Sequence, residues 1–244
     1  YLHTARFFRL LLDAAFEDPK DEPLLKKPVS KDEIKIAKIK TSPDEVERVR
    51  NKLLAEKENI FSGPIVILNA NASDMIPLRK WDSERYIELG HRVLSQFPQS
   101  SIVLTGAPSE QAPIELIAKQ FNSNRVVSMA GKTSLREVVI LYTLCDVMVT
   151  NDSGPGHFAS MTDIYSITLF GPETPLLYSA LGKNKAALSA NLSCTPCVNV
   201  YNDRFSPCKN NVCMQEIRVD QVFEEVKKGL AAATQMTEKK AAIQ

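Results

Sequence analysis

Pro64-Ile65-Val66-Ile67-Leu68-Asn69 is an unbroken apolar run, rich in β-branched residues and closed by a polar one. A strand with one wet face alternates apolar and polar side chains, so a run apolar at every position predicts a strand covered on both faces, the first of a parallel sheet. Downstream, Tyr86, Leu89, Gly90, Val93 and Phe97 fall on one side of a helix, and Ser101-Ile102-Val103-Leu104-Thr105-Gly106 is a second short apolar strand. Strand, helix and strand make a βαβ unit, whose crossover sets the two strands parallel.

The alternation continues to the end of the chain. It predicts a helix over 110–121, a strand at Arg125-Val126-Val127-Ser128, a helix over 134–144, and strands at Asp146-Val147-Met148-Val149-Thr150, Tyr165-Ser166-Ile167-Thr168-Leu169-Phe170 and around Ala186-Ala187-Leu188, then a last helix over 219–233. A doubly wound, Rossmann-like α/β sheet is the economical architecture. Ser134-Leu135-Arg136-Glu137 has the spacing of a capping box. Before the sheet, residues 1–16 read as an amphipathic helix running into a polar linker at Asp18-Pro19 and Asp21-Glu22-Pro23. Ile34, Ile36 and Ile39 suggest a short strand, and Ser42-Pro43-Asp44-Glu45 starts a helix reaching about Glu58. The organisation expected is a linker helix and interdomain segment over 1–59, a Rossmann-like domain over 60–232 with a Cys-rich loop at 191–214, and a frayed tail over 233–244.

With 244 residues, of which 44% are hydrophobic and 24% charged, the chain can bury one substantial core. Thirty basic against 29 acidic residues leave a net charge of +1, which argues against broad nucleic-acid binding, so any bound anion is held locally. No stretch approaches the roughly 20 apolar residues a bilayer span requires. Tyr1-Leu2-His3 is neither a signal peptide nor an initiator, and the expectation is a cytoplasmic fragment.

Val149 to Ala159 joins a strand end to a turn bearing Asp152, Ser153, Gly154, Pro155 and Gly156 and to the start of a short helix. Ligands of open parallel sheets bind beyond the carboxyl ends of strands, and glycines let backbone approach them closely. The same residues fit an ordinary connection with Asp152 or Ser153 as helix cap, and spacing leaves both readings open. His157 stands equally between a phosphate donor and a histidine satisfied against the sheet. Arg79-Lys80-Trp81 puts two cations beyond another strand end, or else a solvated basic pair beside a packed Trp. Gly131-Lys132-Thr133 lacks the earlier glycine of a phosphate-binding P-loop, since Val126 stands there, and no Gly-x-Gly-x-x-Gly follows a strand.

As a set, five stretches resemble glycosyltransferase family nine, the heptosyltransferases. They are Arg79-Lys80-Trp81, Thr105 to Glu110, Ala130 to Glu137, Thr150 to His157 and Leu169-Phe170-Gly171-Pro172, in order across about 60–232. The resemblance implies the C-terminal domain of a GT-B fold, two Rossmann-like domains facing a cleft, with the nucleotide-sugar held mainly by this one. It implies that Arg79, where the family usually has lysine, contacts phosphate with Lys80 beside it. Glu110 would accept hydrogen bonds from the donor's ribose, and Asp152, Ser153, Gly154 and His157 would surround the diphosphate and sugar. The activity implied is inverting, metal-independent transfer of heptose or a related sugar, ADP-heptose being the expected donor, to a lipopolysaccharide core or other surface glycan. The catalytic base would lie on an N-terminal domain, a partner this chain does not contain. The glycolipid acceptor would place the work at the cytoplasmic face of the inner membrane. A non-catalytic nucleotide-sugar-binding module and a nucleotide-sugar epimerase of the same fold are the competing readings.

Cys194-x-x-Cys197, Cys208 and Cys213 supply four thiols in one loop, enough for a tetrahedral zinc site, with reduced thiols or a disulfide as alternatives. Cys145, between a helix and a buried strand, reads as a small core residue.

Overall fold

The computed structural model describes residues 2–18, 20, 34–72, 76–199 and 202–241. Six parallel strands form one sheet: β1 (Ile65–Asn69), β2 (Ser101–Leu104), β3 (Val126–Ser128), β4 (Val147–Asn151), β5 (Tyr165–Phe170) and β6 (Lys185–Ser189). Their order, β3-β2-β1-β4-β5-β6, means that the chain winds outward from β1 to β3, returns to the far side of β1, and winds outward again. The doubly wound sheet expected from the apolar runs is present. The reversal falls between β1 and β4, where no crossover covers the strands' carboxyl ends and a crevice opens.

Both faces of the sheet are buried, and neighbouring side chains on a strand go to opposite sides. Val66 and Leu68 join Tyr86, Leu89 and Val93 of α3 (Ser83–Gln96), Ile114 of α4 (Gln111–Gln120), and Val222 and Val226 of α9 (Val219–Ala241). Ile65 and Ile67 face the other way, toward Val49 and Leu53 of α2 (Pro43–Glu56), Ile140 and Leu141 of α5 (Leu135–Thr143), and Ala159 of α6 (Gly154–Ala159). The helix α2, placed by sequence in the segment before residue 60, thus closes one face of the same sheet. Two buried layers explain why β1 is apolar at every position.

The helix starts follow local chemistry. Ser42 Oγ accepts from Glu45 N–H at 3.3 Å while Glu45 Oε2 accepts from Ser42 N–H at 2.9 Å, and Pro43 opens α2. Ser134 and Glu137 repeat this reciprocal pair on α5, at 3.3 and 2.8 Å. Such caps satisfy backbone donors that a helix's first turn leaves without partners.

Three local expectations differ from the structure. Residues 34–42 form no strand: Ile39 N–H donates to Met161 O at 2.9 Å, an isolated bond that lacks the neighbouring pairs of a ladder. The last helix runs to Ala241 instead of ending near 233, because residues 230–241 contain neither glycine nor proline. The first helix, α1 (Thr4–Ala14), is amphipathic as expected, yet it buries no residue, and Phe7, Phe8 and Leu12 stay exposed. The acidic linker at Asp21-Glu22-Pro23 lies outside the described residues. Among those described, no helix is long and apolar enough to cross a membrane.

Candidate nucleotide-binding site

A cavity of about 370 Å³ opens beyond the carboxyl ends of β1, β2 and β4, over the reversal of the winding. Asn69, the last residue of β1, braces its floor. The Asn69 amide donates to Thr105 O at 3.2 Å and to Thr105 Oγ1 at 3.1 Å, and its oxygen accepts from Thr150 Oγ1 at 3.3 Å. One buried side chain thereby fixes three strand ends. The first turns of α5 form an apolar wall through Leu135, Val138 and Tyr142, facing Phe158 of α6. Burial raises the Tyr142 phenol far above its usual range, so it stays neutral.

The rim carries three residues named from sequence: Glu110, Ser153 and Gly154. Glu110 ends the short 3₁₀ turn Pro108–Glu110, and its Oε2 accepts from Ala107 N–H at 2.8 Å. An ionised carboxylate has about four acceptor positions, so capacity for ligand hydroxyls remains. The ordinary cap reading of the next turn fails. Neither Asp152 nor Ser153 caps α6 with its side chain, and Ser153 Oγ donates backward to Asn151 O at 3.2 Å. Of the two glycines there, only Gly156 is tightly packed. A Cβ on Gly156 would stand 3.1 Å from Thr168 Oγ1, so Gly156 allows α6 to lie on the sheet, whereas a Cβ on Gly154 would meet only the Phe158 ring at 3.5 Å.

Arg79 is not a solvated cation. It ends the 3₁₀ turn Pro77–Arg79 beyond β1, and only 19% of its side chain is exposed. Its Nη2 donates to Glu173 Oε1 at 2.6 Å, its Nη1 donates to Asp152 O at 3.3 Å, and its Nε stands 3.7 Å from Asp152 Oδ2. The last distance is an ion-pair contact too long for a hydrogen bond. Burial pushes the Asp152 carboxyl up to about 7, with Arg79 opposing the rise and Glu173 adding to it. Glu173 escaped the sequence reading; the signal available was an acid three residues beyond the apolar strand ending at Phe170.

Lys80 is half-buried beside this cluster and does not line the cavity. Trp81 packs under the loop, its Nε1 donating to Ile217 O at 2.8 Å and its backbone N–H to Asn151 Oδ1 at 3.0 Å. His157 is exposed on α6 outside the cavity lining. Desolvation lowers its pKa, and positive charge at His3 and Lys185 lowers it further, which places it toward α1 and β6. The structure therefore brings Glu110, Ser153 and Gly154 together, gathers Arg79 and Asp152 with Glu173 alongside, and leaves His157 on the outer side.

Among the described residues the four loop thiols do not converge as a tetrahedral site, although Cys197, Cys208 and Cys194 are near enough to Cys213 to add to the rise that burial gives its thiol. Cys194 and Cys208 are exposed, Cys197 is half-buried and Cys213 is buried on α8 (Val212–Gln215), with all thiols free. Among the described residues no three potential ligands converge on one point. The reason is that Cys213 is drawn into the core beneath Gly171, whose Cβ, if it had one, would stand 3.2 Å from the sulfur. Cys145 is buried as expected, and burial raises its thiol well above the ordinary range.

A parallel sheet wound in both directions, with a cavity over the reversal, defines a doubly wound α/β protein whose crevice lies where ligands of such sheets bind. The chain belongs to glycosyltransferase family 9 (heptosyltransferase), whose model it matches over residues 3–207. It is 26% identical over 182 residues to lipooligosaccharide heptosyltransferase 2 of Campylobacter jejuni subsp. jejuni serotype O:6, covering 69% of this chain and 54% of that protein. It is 32% identical over 102 residues to lipopolysaccharide heptosyltransferase 2 of Salmonella typhimurium, covering 41% of this chain and 29% of that one. Among solved structures, E. coli ADP-heptose LPS heptosyltransferase II matches with a TM-score of 0.63 at 20% identity, over 80% of this chain and 54% of that one. E. coli heptosyltransferase WaaC with ADP matches with a TM-score of 0.53 at 20% identity, over 69% of this chain and 45% of that one. These structural likenesses establish the fold, that of the GT-B-like heptosyltransferases. The chain spans about half the length of the curated relatives it matches best over its own length.

Proposed function

We propose that this chain is the donor-binding half of a glycosyltransferase that moves heptose from ADP-heptose to a lipopolysaccharide core or related surface glycan. The observation carrying this reading is the cavity over the β1/β4 reversal, apolar on one wall and lined at its rim by Glu110, Ser153 and Gly154. The base lies against Leu135, Val138 and Tyr142, and Glu110 accepts from the ribose hydroxyls. The diphosphate runs along the Ser153-Gly154 backbone, where the absent Cβ leaves room, toward Arg79 and Lys80. Asp152 and His157 stand on the side of the sugar.

In the reaction the acceptor oxygen attacks the anomeric carbon from the face opposite the diphosphate. The bond to the diphosphate oxygen breaks, and the electron pair leaves on ADP. Arg79, Lys80 and backbone N–H groups stabilise the charge that develops there, with no metal required in this scheme. The acceptor's proton goes to a base on the N-terminal half of the cleft. The setting is the cytoplasm, where a glycolipid acceptor is presented at the inner face of the membrane.

The test is a panel of ADP, UDP, GDP, CDP and ADP-heptose followed by calorimetry and thermal shift. ADP and ADP-heptose should bind and raise Tm, because a ligand held only by the folded state stabilises it. Arg79→Ala should weaken ADP by about tenfold, the equivalent of ~1.4 kcal/mol, while adenosine affinity holds. A panel in which no nucleoside diphosphate binds would remove the assignment.

A further inference from the structure

Arg79 and Glu173 come from loops beyond β1 and β5, strands separated by β4, and each loop is fixed by contacts of its own. The Asn211 amide donates to Leu78 O at 3.3 Å and to Lys80 O at 3.1 Å, gripping the chain on both sides of Arg79. On the other side, Pro172 O accepts from the backbone of Cys197 at 2.9 Å and Val198 at 3.1 Å, and Thr174 Oγ1 accepts from Leu176 N–H at 3.3 Å. Glu173 thus sits between a strapped carbonyl and a capped turn, with 5% of its side chain exposed. The Cys-rich segment supplies both the strap and, through Asn211, the grip on the Arg79 turn.

The pair leaves particular atoms without hydrogen bonds. Among the described residues, Arg79 Nε, Asn151 Nδ2 and Asp152 Oδ2 are buried without a hydrogen bond, Nε and Oδ2 facing each other as an ion pair at 3.7 Å. A buried donor without a hydrogen bond is costly, and Nε–H, whose 3.7 Å contact with Asp152 Oδ2 is too long for one, is a donor that a ligand oxygen would satisfy. Glu173 holds Arg79 by Nη2, and the Asp152 carbonyl takes Nη1. The nitrogen with an ion-pair contact but no hydrogen bond is Nε.

We propose that Glu173 is a positioning residue for the donor's diphosphate, holding the Arg79 guanidinium against the end of β4 so that its Nε–H is available to a phosphate oxygen. This rests on the donor-binding reading above. Arginine is a planar fork whose usefulness depends on orientation, so a side chain that sets its plane also sets affinity. Glu173 acts through Arg79 and does not itself meet the ligand.

The experiment is a double-mutant cycle on the whole chain, with ADP and adenosine binding measured by calorimetry and thermal unfolding recorded for each variant. Glu173→Ala should weaken ADP about tenfold and leave adenosine unchanged, while Glu173→Gln, which keeps an acceptor for Nη2, should stay within about threefold of wild type. In an Arg79→Ala background, Glu173→Ala should add nothing. The proposal is overturned if Glu173→Ala leaves ADP affinity unchanged or raises it, if adenosine weakens equally, or if the loss persists without Arg79. If Glu173→Ala fails to fold, Glu173→Gln and Glu173→Asp carry the same comparison, and an effect independent of Arg79 again overturns it. Failure of wild type to bind any nucleoside diphosphate is a separate result that defeats the donor-binding reading itself.

Discussion

Asp152 stands on the strand-end turn that the sequence singles out, but its protonation is set by distant parts of the chain. Its carboxyl is pushed up to about 7 by burial, against the pull of Arg79 and with a further rise from Glu173. An acid whose pKa is raised by folding binds its proton more tightly folded than unfolded. Its contribution therefore favours the folded state at low pH and is lost as pH rises from the ordinary carboxylate range through about 7. Asp152→Asn removes that titration. The melting temperature of the variant minus that of wild type should grow more positive between roughly pH 5 and pH 8, and parallel profiles over that range would contradict the assignment. The turn at position 152 was legible as a strand-end connection, with site and helix cap left equally open by spacing and only the family resemblance favouring the site. Its partner Glu173 was not, since a single acid in a later loop has no local pattern to mark it.

At the scale of elements, capping and periodicity were readable because both depend on residues within a few positions of one another. The Ser42/Glu45 and Ser134/Glu137 pairs start helices as their spacing predicts. Ser134→Ala should cost about 1 kcal/mol in denaturant unfolding, and since α5 is a wall of the cavity, ADP affinity should fall with it. Gly90 of α3 shows what periodicity leaves out. It was assigned to the buried face, and the reason no larger residue stands there is the Phe121 ring, whose nearest carbon would lie 2.3 Å from an added Cβ. Gly90→Ala should destabilise by about 1–3 kcal/mol in the same assay, and an unchanged midpoint would show that Phe121 moves aside freely. The Ile34–Ile39 segment had strand-like composition and forms no strand, because a strand needs a paired edge and composition does not provide one.

For the whole molecule, β1 lies at the centre of two buried layers, so Leu68→Ala should lose about 2–5 kcal/mol through the cavity it leaves. Bound ligand works in the opposite direction. ADP at one hundred times its dissociation constant should recover about 2.7 kcal/mol, enough to offset part of that loss in a melting experiment. The sequence by itself determined the parallel sheet, most of its helices and the turns at its strand ends. Those features follow from burial on both strand faces and from short-range capping, and both are written in neighbouring residues. Only the tertiary structure decided that Arg79 is held by Glu173 and Asp152, that His157 lies outside the cavity lining, and that Cys213 is buried while Cys194 and Cys208 are exposed. Each of these depends on which loops meet beyond the sheet, and that is set by strand order and by the packing of segments far apart in the chain.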